Sequence, residues 1–278
     1  MLKKFTNWYN KKFKKYPIIV LLTTIVAIFT AIGSSYSGIQ AIQSAKIAIT
    51  HSIFKNHKEY EKLSKVNVNL NVEFIDQLMG KPFIIRPMEN EPTSRFFNKY
   101  TERLYVDDNY FLYVLTDNLN QVLLYEITLR KSDFYPSIPL NIRSSDKKNE
   151  ITNLKLGVMK LSDLKNNPSN ICADYSSKFI YYTETHLFGN AVGYKIYLFG
   201  YTPAGISNLS DDQINTILKY SPLKNEKVGS KERDVFDKNF IPNSFGVISD
   251  TADEELQDYL INGMMGIDYF IAREFNNP

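Results

Sequence analysis

The sequence predicts an α+β protein: an N-terminal transmembrane helix, then two repeated helix-plus-antiparallel-meander units forming one sheet, with a C-terminal helix packed on it. Three observations carry that expectation. An uncharged apolar run stands behind a cluster of lysines. Two short amphipathic stretches each end on a proline ahead of strand-like segments. Finally, 19 Tyr and 18 Phe in 278 residues favour sheet over an all-helical bundle.

Residues 1–15 hold six lysines, Lys3, Lys4, Lys11, Lys12, Lys14 and Lys15, and no acid. They outweigh the whole formal charge of +3, which is 33 basic against 30 acidic side chains. The body behind them is therefore slightly acidic, which argues against a nucleic-acid partner. Next comes "PIIVLLTTIVAIFTAIG", Pro17 to Gly33, and the chain stays uncharged to Ile42, long enough to cross about 30 Å of hydrocarbon. The lysines would hold its amino terminus in the cytoplasm. The expectation is a single-pass signal anchor in a bacterial inner membrane, with basic tail 1–16, transmembrane helix 17–42 and the main domain extracytoplasmic. A cleaved signal peptide, with Ala31 and Gly33 as its small-x-small site, is the alternative. The single cysteine, Cys172, excludes an internal disulfide.

Ile39, Ile42, Ile49, Ile53 and Tyr60 recur at helical spacing, which predicts a stalk helix over 43–65. It either drives homo-oligomers or packs on the domain behind it. The first unit, 66–135, opens with "NVEFIDQLMGKP": Val72, Ile75, Leu78 and Met79 form one stripe on a helix starting near Asn69 or Asn71. Gly80 takes the left-handed conformation that closes it, and Pro82 prevents continuation. Then "RLYVDD", "NYFLYVLTD" and "QVLLYEITLR" read as strands, with "TDNLNQ" as a hairpin turn.

A second unit, 150–206, matches the first. "LNVEFIDQLMGKP" lies over "LGVMKLSDLKNNP", which ends on Pro168, at an offset of 86 residues, and "NYFLYVLTDNLNQV" lies over "GYKIYLFGYTPAGI" at 84. Two segments in the same order predict a tandem duplication, with the Pro-, Ser- and Lys-rich stretch between them as linker. The extension 207–278 starts with a Ser-x-x-Gln capping box at Ser210 and Gln213, passes through the charged, extended "KNEKVGSKERDVFDK", and ends in a helix over 251–275. Leu256, Leu260, Met264, Ile267 and Ile271 form the apolar face of that helix.

No catalytic constellation stands out, and no cofactor or metal is expected. His186 follows Glu184 by two residues in a predicted strand, so both point the same way; the pair suits acid–base work but lacks a third metal ligand. Cys172 has no basic neighbour to activate it. Phosphate-binding glycine loops, Gly-x-Ser-x-Gly and Cys-x-x-Cys are absent. What stands out is aromatic: Tyr181, Tyr182, Phe188, Tyr194, Tyr197, Phe199 and Tyr201 crowd the second unit. Tyrosines on an open sheet face suit a protein interface, unless the terminal helix covers them.

The helix-turn "LNVEFIDQLMGKP" ahead of a three-strand meander resembles the unit of the small lipoproteins of the outer-membrane β-barrel assembly machinery. In tandem, over residues 66–206, it looks like β-lactamase inhibitor protein, where two such units build a sheet that grips a partner. No lipobox cysteine is present. The whole chain is also similar to an uncharacterised bacterial family of single-pass membrane proteins. That resemblance implies topology and no activity. The anchor, the duplicated sheet unit, the tyrosine-rich strands and the missing catalytic constellation predict a membrane-anchored, inhibitor-like module without catalysis that binds an unknown protein, with Tyr182, His186, Tyr194, Tyr197 and Tyr201 as candidate binding residues and Gly80, Pro82 and Pro168 as structural turns. The alternatives are a small-ligand sensor or enzyme using His186 and Glu184, and an oligomer-forming structural protein.

Overall fold

A computed structural model describes residues 56–88, 99–143, 149–175, 179–190, 193–206, 209–220 and 229–263, together with Ala272 and Phe275. The chain divides into two compact units, Met1–Glu59 and Tyr60–Pro278. Of the first, residues 56–59 are described, and they are helical. The sheet belongs to the second.

The expected membrane anchor is corrected, and with it the single-pass topology, the bacterial inner-membrane location and the extracytoplasmic domain. No helix among the described residues is long and apolar enough to cross a membrane. The helices Val72–Met79, Asp211–Tyr220, Ser230–Asn239 and Glu254–Asn262 run 8 to 10 residues, or about 15 Å at most, half of a hydrocarbon core. Residues 17–42, which prompted the expectation, lie outside the described residues.

Helix α1 spans Val72–Met79. Asn71 caps it, its side-chain oxygen accepting the Glu73 N–H at 2.8 Å, and Val72 and Ile75 are the buried stripe. Gly80 has φ 89° and ψ −168°, so the helix is left through a positive-φ, extended conformation available to glycine and not through the left-handed one. Strands β1 (Ile84–Pro87), β2 (Thr101–Val106), β3 (Tyr110–Thr116) and β4 (Val122–Leu129) come next. The β3–β4 turn is fixed by Asp117, whose carboxylate accepts the N–H groups of Leu119 and Gln121 at 2.9 and 2.8 Å. The stretch read as a linker is itself structured: β5 (Ser137–Arg143) and β6 (Asn149–Lys155) form a separate antiparallel ribbon.

A 3₁₀ turn at Leu161–Leu164 precedes β7 (Asn170–Tyr175), β8 (Ile180–Asn190) and β9 (Gly193–Tyr201). After them come α2 (Asp211–Tyr220), α3 (Ser230–Asn239), β10 (Ser244–Ile248) and α4 (Glu254–Asn262). The main sheet has eight strands in the order β1-β2-β3-β4-β10-β9-β8-β7, antiparallel throughout. Strand β10, which the sequence left unassigned, is thus the central strut that joins two meanders.

Register sorts the side chains by face. Leu112, Ile127, Phe245, Phe199 and Glu184 lie in one cross-strand row. The face they share carries the larger core, which includes Val72 and Ile75 of α1, Leu161 and Leu164 of the 3₁₀ turn, Ile217 of α2 and Phe236 of α3. The opposite face holds Leu115, Leu124, Ile196, Leu198 and Ile248 beneath Leu256 of α4. The predicted helix over 251–275 therefore stops, as α4, at Asn262; Ala272 and Phe275 are again helical, and residues 264–271 lie outside the described ones.

This arrangement corrects the predicted pair of repeated units. Strands β4 and β9 both run antiparallel to β10, so they are parallel to each other and the two meanders converge on the centre from opposite edges. Helix α1 and the 3₁₀ turn lie on the same face of the sheet, in one core. The second meander is not complete within 150–206: its inner neighbour β10 comes from Ser244–Ile248, after α2 and α3, and at the offset of 84 Leu112 lies over Ile196, which belongs to the core on the opposite face. The local match reflects common apolar spacing: Ile75 and Leu161 are both buried, but Val158, aligned with buried Val72, is exposed.

Candidate functional site

The tyrosine-rich strands turn inward. Tyr182, Phe188, Tyr197, Phe199 and Tyr201 are all buried and share one face by register, Tyr182 opposite Tyr201 and His186 opposite Tyr197. Among the described residues, α4 packs on the opposite face, and the cover over Tyr182 comes from Phe236 of α3 and Phe240 just beyond it, each 5.2 Å from the Tyr182 ring, centroid to centroid. The ring of Tyr220, at the end of α2, stands 5.8 Å away. Tyr194 belongs to β9, and its side chain lies outside the described ones.

Beneath α3 sits a polar network. Glu184 and His186 are 0% and 1% exposed, brought to one face by their i, i+2 spacing on β8. His186 Nε2 is 2.9 Å from Glu184 Oε2, and its Nδ1 is 2.9 Å from Asn166 Oδ1. Both Tyr182 and Arg233 donate to Glu184 Oε1. Arg233 also donates to the Tyr182 hydroxyl at 2.7 Å, to Tyr220 at 3.3 Å and, through Nε, to Asp237 at 2.8 Å. Both carboxylate oxygens of Glu184 are thereby engaged, as buried charge requires.

The electrostatics agree with a closed network. Burial pushes the Tyr182 hydroxyl far above its ordinary pKa, and the Glu184 charge adds to it. For Arg233, burial alone works against the charged form, but Tyr182 and Glu184 outweigh it and its pKa rises. Asp237 is raised by burial, with the Arg233 charge opposing. No group of three or more His, Cys, Asp or Glu among the described residues could hold a metal ion.

Sequence reasoning found Glu184 and His186 but missed Arg233, Asn166 and Tyr220. A signal for Arg233 was present, since Arg233, Phe236 and Phe240 recur at three and four residues, the period of a helix face. The remaining candidates behave as turns: Gly80 and Pro82 end α1, and Pro168 precedes β7. Cys172 donates to the Asn262 carbonyl at 3.2 Å, tying β7 to the end of α4, and burial raises its pKa.

Outside this network, α2 and α3 enclose an open cleft of about 840 Å³. The helices are antiparallel: Gln213 near the start of α2 donates to the Asn239 carbonyl at 3.0 Å, while Lys219 near its end pairs with Glu232 at 2.6 Å. Val235, 56% exposed, lies on the wall between, with Asn215 and Thr216 opposite. The fold and this site define an α+β domain built on one eight-stranded antiparallel sheet, with a helix pair that frames a surface cleft.

No family model matches the chain, and no curated protein matches it. Among solved structures, a cysteine-rich secretory protein from Staphylococcus aureus is similar at 12% identity with a TM-score of 0.33, over 72% of this chain and 48% of that one. The chain thus spans about half the length of that protein, and a likeness this slight carries no argument about fold or function.

Proposed function

We propose that the folded unit works by binding a polypeptide and not by catalysis. The observation that carries this reading is the closure of the Glu184 network. A general acid or base must reach the proton it moves, whereas Glu184 has no exposed surface and both its oxygens are occupied by Tyr182, Arg233 and His186. The aromatic surface expected at Tyr182, Tyr197 and Tyr201 is core, so the binding face is sought elsewhere. The α2–α3 cleft supports it: an exposed apolar side chain flanked by hydrogen-bonding groups is the usual make-up of a peptide-binding surface.

The test is to pan a random peptide display library on the full-length chain and on a Val235→Glu variant. The reading expects sequences enriched on the parent protein and lost on the variant. Failure of any sequence to enrich would overturn it, as would a turnover activity abolished by Glu184→Gln in a protein that remains folded.

A further inference from the structure

We infer that the α2–α3 cleft takes a short free oligopeptide of about four residues, its amino terminus against Asp212 and its carboxylate against Lys231. This rests on the polypeptide-binding reading above and adds what the cleft selects. The argument is one of charge and length. Because the helices run antiparallel, Asp212 and Asn239 share one end of the cleft, and Glu232 and Lys231 share the other. Glu232 is neutralised by Lys219 at 2.6 Å, which leaves Lys231 as the unbalanced charge at its end among the described residues that line the cleft. At the opposite end Asp212 has no basic partner among the described residues, and Lys238, next to Asn239, does not line the cleft.

One cation and one anion therefore bracket the same groove. From Lys231 to Asn239 is eight residues of α3, or about 12 Å at the helical rise. Extended backbone covers that distance in about four residues. Between the ends, the Asn215 amide offers a donor and an acceptor to a peptide backbone, while Val235 gives apolar contact to a side chain. Such an arrangement discriminates by its ends: a free peptide satisfies both charges, and a blocked one leaves a charge facing no partner.

The experiment is calorimetric titration of the full-length chain with tetra-alanine in four forms: free, N-acetylated, C-amidated and blocked at both ends. The free peptide is expected to bind tightest, with each single block weakening binding roughly fivefold, the scale of an exposed charge pair. In Asp212→Asn the acetyl group should become harmless while amidation still weakens binding; in Lys231→Gln the reverse should hold. Equal affinity for free and doubly blocked peptides would overturn the end-recognition proposal and leave polypeptide binding standing. Absence of binding by all four forms, together with an unenriched display library, would sink both.

Discussion

Helix α1 lies on the first half of the sheet through Val72 and Ile75, in one apolar cluster with Leu112, Val114 and Ile127. Helix α3 lies on the second half through Phe236 and Phe240 and through a single arginine, Arg233, that reaches Glu184 and Tyr182. An apolar stripe tolerates small adjustments, because any well-packed hydrocarbon contact serves. A buried charge network fixes the helix in one orientation, but each member depends on the others, since an unpaired charge in the interior is costly. The comparison accounts for why sequence patterning announces α1 and hides α3.

That difference can be broken at its strongest point first. Glu184→Ala strands Arg233 and His186, and urea denaturation of the variant should show a loss of about 3–5 kcal/mol. Replacing the pair together, Glu184→Leu with Arg233→Met, should recover much of it, because the uncompensated charge is gone. In the first half, Ile75→Ala removes buried hydrocarbon and should cost about 3 kcal/mol. No partner substitution on β2 or β3 should rescue it. Next comes Asn71→Ala, which deletes the α1 cap and should cost about 1 kcal/mol by the same measurement.

The smallest effect concerns Asp253, the cap of α4, held by Lys99 at 2.6 Å and by Tyr100 at 2.6 Å. Those hydrogen bonds lower its pKa to about 2 from 3.8. A carboxyl whose folded pKa is depressed stabilises the protein above its unfolded value. The contribution should fade as the pH falls from about 4 to about 2, and Asp253→Ala should flatten that part of the stability profile. With the side chain 46% exposed, the change should stay below about 1 kcal/mol.

Much of the first half was legible. The α1 stripe, the Asn71 cap and the β2–β4 meander arise from period, capping chemistry and turn residues, which act within a few positions of each other. The inward pairing of Glu184 and His186 on one face was equally local. Strand β10 was not legible, because Ser244 to Ile248 is short and both its partners lie far earlier in the chain, Ser244 standing opposite Gly200 of β9 and Thr128 of β4. Nor was α3: its charged sequence reads as extended, and it is held by tertiary contacts to residues about 50 positions away. The β5–β6 ribbon was hidden by Pro139 and by its serines and lysines, which mimic a linker. The matched strands misled because apolar spacing is shared by unrelated helix–strand pairs: at that offset Leu112 and Ile196 coincide in sequence but face opposite cores.

The central claim is that the buried Glu184 network fastens α3 to the sheet, while α1 is held by its Val72 and Ile75 stripe and by the half-exposed Asp76, which accepts from Tyr105 and Arg103 of β2. Amide hydrogen exchange on Glu184→Gln tests it directly, by comparing residues 230–239 with residues 72–79. The account predicts that α3 amides exchange at least about tenfold faster relative to those of α1 than in the parent protein, the ratio expected for a local loss of about 1.4 kcal/mol. Equal acceleration of both helices, or an unchanged α3, would contradict it.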